Sequence, residues 1–105
     1  MTVLFDEDYL EQLYLNGTCN DKKHRFQPSE IAKYVQIVKL MCAVDDVSEL
    51  KRYNSLNYEK LKGNKAGLSS VRINTRYRIE FEECLEGEEI YASICNIVRI
   101  SNHYN

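Results

Sequence analysis

The segment Leu61 to Phe81, LKGNKAGLSSVRINTRYRIEF, constrains this chain more than any other. Apolar and polar residues alternate from Leu68 to Asn74 and again from Arg76 to Phe81, and the runs meet at Asn74-Thr75. That is the pattern of two short strands joined by a tight turn. Successive strand side chains point to opposite sides, so Val71, Ile73, Tyr77, Ile79 and Phe81 share one face. Ser70, Arg72, Asn74, Arg76, Arg78 and Glu80 share the other. The first face must be buried. The second carries three arginines and is preceded by Lys60, Lys62 and Lys65. A lone arginine on a strand is ordinary solvated surface, whereas this cluster suits phosphate, which guanidinium groups grip through paired donors.

Charge is distributed to match. The net charge of −2 argues against a general nucleic-acid binder, yet Lys51 to Ile79 holds eight basic residues against one acid, Glu59. Glu80 to Glu89 then supplies six acids and no base, and reads as solvated. The expectation is a basic patch on an otherwise acidic body.

At 105 residues the chain is read as one domain, 1–105, with a single core. Asp6, Glu7 and Asp8 interrupt the N-terminus before a signal-peptide core could form, and no apolar run approaches a bilayer span, so a cytoplasmic location without membrane contact is expected. Cys19, Cys42, Cys84 and Cys95 are widely spaced, with only His24 and His103 to complete a metal site. They read as reduced thiols, and no metal or cofactor is expected. His24, between Lys23 and Arg25, reads as solvated.

Along the chain, Val3 to Phe5 fits a short strand. Asp6 and Asp8 are N-cap candidates for a helix with Tyr9, Leu10, Leu13 and Tyr14 on one face, stopped near Asn16 by Gly17. Pro28 opens a second helix, in which Ile31, Tyr34, Val35, Val38, Met41 and Cys42 recur at helical spacing. Asp45 to Arg52 reads as a short third helix, Ser55 to Lys62 as a strand and Gly63 to Gly67 as a loop. Glu89 to Ile100 is β-rich, with Ile90, Ala92, Ile94, Val98 and Ile100 on one parity. Helices followed by a meandering sheet give an α+β fold, with N-terminal helices packed on one face of a small antiparallel sheet. The arginine-bearing face is then left free.

Leu61-Lys62-Gly63, Gly67, Ser70-Val71-Arg72-Ile73-Asn74, Tyr77-Arg78-Ile79 with Phe81, and His103-Tyr104 together resemble the HigB toxin family of the RelE/ParE superfamily. The specific part of the likeness covers Leu56 to Tyr104. It implies a RelE-like toxin of a type II toxin-antitoxin system that enters the ribosomal 30S A site and cuts messenger RNA. A helix-turn-helix, HigA-like antitoxin would neutralise it. Metal-independent cleavage needs the 2′-hydroxyl to lose a proton and attack phosphorus while a protonated 5′-oxygen leaves. On the family pattern, Arg78 stabilises phosphate charge with Lys62 beside it, and His103 transfers protons. Tyr104 stacks on a base or orients the phosphate, and Lys60, Lys65, Arg72 and Arg76 hold the RNA backbone. The sequence departs from that pattern at Glu59, where the family often has histidine, and at Ser101-Asn102, where it has Asp-Tyr. Glu59 is the candidate to replace that histidine as a base. These departures keep open a binding protein instead: a gyrase-targeting relative of ParE type, or a degenerate toxin that only binds its antitoxin.

Overall fold

A computed structural model describes residues 1–102. Strand β1 (Thr2–Phe5) leads into helices α1 (Asp8–Asn16) and α2 (Pro28–Ala43), then into 3₁₀ turns at Val47–Arg52 and Asn54–Leu56. Strand β2 (Glu59–Lys60), a third 3₁₀ turn (Gly63–Lys65) and strands β3 (Leu68–Arg72), β4 (Tyr77–Cys84) and β5 (Ile94–Asn102) complete the described chain. The strands form one five-stranded sheet in the order β1-β5-β4-β3-β2. The α+β architecture is as expected, but the sheet is mixed. β1 runs parallel to β5 at one edge, because the two helices intervene and return the chain to the far side of the sheet.

Both helices follow from local chemistry. Glu7 occupies the N-cap of α1 without a side-chain hydrogen bond, in place of the expected aspartates, and Gly17 ends the helix at φ 71, a conformation that glycine adopts without strain. Pro28 opens α2, and Gln27 and Glu30 form a capping box. Tyr34, Ile37, Val38 and Met41 then lie on one side and pack with Leu10 and Leu13 over the sheet. The Tyr34 hydroxyl donates to the Leu10 carbonyl at 2.7 Å, fastening the helices together inside the core.

The hairpin faces are as the alternation requires. Val71, Ile79 and Phe81 are fully buried against the helices, and Ile73 is nearly so. The turn is wider than expected, spanning residues 73–76, and the Asn74 carboxamide oxygen closes it by accepting from the backbone N–H groups of Arg76 and Tyr77 at 2.9 and 2.8 Å. Asn74 also donates to Glu30 at 3.2 Å, tying the turn to the start of α2.

Other elements differ from expectation. Asp45 to Arg52 tightens to a 3₁₀ turn, with the Asp46 carboxylate accepting from the Ser48 backbone. The strand expected over Ser55 to Lys62 shrinks to two residues, because Asn57 takes a left-handed turn at φ 45 that sends Leu56 into the core. β5 starts late: Ile90 and Tyr91 stand exposed before it. Within β5 the expected single parity fails, since Cys95, Ile97 and Ile100 are the buried residues. A bulge explains this. Glu80 pairs with Arg99 and Phe81 with Ile97, so Val98 is the extra residue and the faces exchange on either side of it. His24 is not simply solvated either. Its ring stacks on Tyr9 with centroids 3.7 Å apart, and Nδ1 lies 2.8 Å from Asp21.

Candidate phosphate-binding face

The face of the sheet turned away from the helices is not free. Register sets Glu59, Ser70, Glu80 and Arg99 in one row across β2, β3, β4 and β5, and Arg72, Arg78 and Ser101 in the next. Arg72 and Arg78 stand directly opposite each other, an arrangement that costs energy unless each charge is drawn to other partners. Both are. Arg72 turns its Nε to the Asn74 carbonyl at 3.1 Å.

Arg78 is 8% exposed. Its Nε donates to the Ser70 hydroxyl at 3.1 Å, and Nη2 donates to the Asn57 carbonyl at 3.0 Å and lies 3.5 Å from a Glu59 oxygen. The left-handed turn at Asn57 aims that carbonyl, and asparagine tolerates the conformation better than most residues. The guanidinium is therefore fixed by main-chain and hydroxyl acceptors before any substrate arrives.

Glu80, expected in the solvated acidic run, is instead buried at 3% exposure because the bulge and register place it mid-sheet. It accepts from Lys65 Nζ at 2.7 Å and from Arg99 Nη1 at 2.6 Å. Burial pushes its carboxyl up, but hydrogen bonds from Lys65, Ser101 and Arg99 outweigh burial and hold it below its ordinary value. At the other end of β4, Glu83 accepts from the hydroxyls of Tyr58 and Ser69, and burial first, then Glu83, pushes Tyr58 up to about 12.

Of the residues expected at the site, the structure gathers Arg78, Glu59, Arg72 and Lys65 on this face. Arg76 sits on the exposed turn with its guanidinium 5.1 Å over the Tyr77 ring. Lys62 is exposed at the N-cap of the Gly63–Lys65 turn. Lys60 is not brought in. It pairs with Ser69, so its side chain points to the opposite side and lines a pocket with Val47, Lys51, Glu83 and Tyr91. His103 and Tyr104 lie outside the described residues; β5 ends with Ser101 opposite Arg78 and Asn102 opposite Tyr77. Arg99 and Asn57 were not expected here, and Ser70, expected on this face, was given no part in the site. Alternation with the buried Ile100 already turns Arg99 to this face, but only the register of β5 on β4 sets it opposite Glu80. Among the described residues no group of three or more His, Cys, Asp and Glu is placed to hold a metal, and no helix is long and apolar enough to cross a membrane.

Two solved structures share this small α+β fold. One is a YoeB/ParE toxin from Agrobacterium tumefaciens, with a TM-score of 0.57 at 18% identity over 99% of this chain and 100% of that one. The other is a YoeB-YefM complex from Staphylococcus aureus, with a TM-score of 0.53 at 19% identity over 99% of this chain and 98% of that one. Residues 3–93 match the HigB-like toxin family model, described as the RelE-like toxin of the type II toxin-antitoxin system HigB. Toxin HigB-1 of Vibrio cholerae serotype O1 is 32% identical over 83 residues, covering 78% of this chain and 83% of the relative. The chain belongs to the HigB-like toxin family and is a toxin of a type II toxin-antitoxin system.

Proposed function

We propose that this toxin is a ribosome-dependent messenger RNA endonuclease that cleaves in the A site by metal-independent attack of the 2′-hydroxyl. The observation that carries the reading is Arg78: a guanidinium fixed by Ser70 and Asn57, directly opposite Arg72. A donor held in place before charge develops on a phosphate stabilises that charge without reorganising, which is the largest contribution available to such a site. HigB and RelE toxins are in general messenger RNA endoribonucleases, which supports the same assignment.

In this mechanism Arg78 takes the phosphate charge, while Lys62, Lys65, Arg72 and Arg76 hold the RNA backbone. His103 moves the proton, Glu59 beside Arg78 is the second proton carrier, and Tyr104 stacks on a base. The partner that silences the toxin is a helix-turn-helix antitoxin of HigA type, and the site of action is cytoplasmic. Purified toxin added to ribosomes programmed with a defined message tests the reading. Cleavage within the A-site codon that slows about 100-fold or more in His103→Ala is the expected result. A second reading, that the protein binds without cutting, draws on the 3.5 Å approach of Glu59 to Arg78, which offsets part of the cationic charge a phosphate would meet. It predicts ribosome or antitoxin binding with the message left whole.

A further inference from the structure

We infer that Arg99 and Lys65, held by Glu80, form a second phosphate subsite beside Arg78 that grips the RNA backbone away from the scissile linkage. The inference rests on the nuclease reading of this face, and it brings in Arg99 as a binding residue and Glu80 as a positioning residue.

The cluster is built from the inside out. Glu80 is 3% exposed, whereas the Lys65 and Arg99 side chains that it holds are 41% and 45% exposed. One buried carboxylate thus faces two cations that reach the surface, and a net positive charge remains there. Neutralising Glu80 would take only one of them. A buried carboxylate mid-sheet is seldom a gain in stability over an apolar residue of similar size, so a purely structural role explains it poorly. What the carboxylate does accomplish is to hold two long, flexible side chains in one place, as orienting groups do behind a binding site.

Position completes the argument. Arg99 pairs with Glu80 and Ser101 with Arg78, so Arg99 and Arg78 are diagonal neighbours, roughly 7–8 Å apart. Arg99 meets Glu80 through Nη1, and its planar fork has further donors suited to a phosphate. A backbone lying across Arg78 therefore meets the Lys65–Arg99 pair at its next row.

The test is binding of a labelled 2′-O-methyl oligoribonucleotide, which cannot be cut, across a salt series. Arg99→Gln and Lys65→Gln are expected to weaken binding and to flatten the plot of log affinity against log salt by about 0.7 each, the value for one lost phosphate contact on a single strand. Arg99→Lys keeps the wild-type slope, and Arg25→Gln, on an exposed loop, changes nothing. Melting curves establish that each variant is folded at the assay temperature. Wild-type slopes in both Arg99→Gln and Lys65→Gln, or salt-independent binding by the wild type, would overturn the inference. Ribosomal cleavage is scored separately. Intact cleavage with unaltered slopes removes this subsite alone, whereas flattened slopes without cleavage keep the subsite and remove the nuclease reading.

Discussion

The two faces of this sheet are buried by different means. Against the helices, Val71, Ile79, Phe81 and Ile97 are sealed by apolar contact, which is non-directional and tolerates any well-packed hydrophobe of the right size. On the far side, Arg78 and Glu80 are almost as deeply covered, but by named partners: Ser70 and Asn57 for the one, Lys65 and Arg99 for the other. The first face holds the molecule together. The second uses that rigidity to keep charges where a phosphate can meet them.

The contrast is sharpest under mutation. Phe81→Ala opens a cavity on the helix face and should destabilise by about 3–5 kcal/mol in chemical denaturation, with little dependence on salt. Glu80→Gln should cost less, about 1–2 kcal/mol, because its cationic partners are nearly half exposed and screened by water. Its mark is in the pH dependence. The folded Glu80 carboxyl titrates below its ordinary value, so its contribution is complete above the ordinary carboxylate range and is lost as pH falls through the folded value. The acid limb of a stability profile should be shallower in Glu80→Gln than in wild type, and an unchanged limb would show that the network does not hold the charge. The smallest effect should come from Glu30→Ala, which removes the capping box of α2 and the bond to Asn74 at a cost of about 1 kcal/mol in thermal melts.

What was legible in the sequence follows the same division. Periodicity is a property of one segment at a time, and it located the apolar faces of α1, the hairpin and most of α2, where Ile37 is buried and the expected Cys42 is exposed, because burial there needs only the right residue class at the right spacing. The second face depends on pairing between segments. Arg78 was legible because it lies within the hairpin, but Lys60 was placed with it in error: the alternation of a two-residue strand shows only in its register with Ser69. Arg99 escaped notice because alternation along β5 gives its face but not its partner; its place opposite Glu80 is set by the register between β4 and β5. The parallel pairing of β1 and the left-handed turn at Asn57 are likewise set by distant contacts rather than local propensity.

The central claim is that Arg78 is a pre-positioned phosphate ligand, and it is tested most directly by A-site cleavage on programmed ribosomes. Wild type, Arg78→Ala and Arg78→Lys should be compared with all three verified as folded. The account predicts that wild type cuts the message and that Arg78→Ala slows cleavage about 100-fold or more. Arg78→Lys should recover only part of that loss, since a lysine keeps the charge without the fork. Cleavage by Arg78→Ala at the wild-type rate, or a message left whole by the wild type, would contradict it.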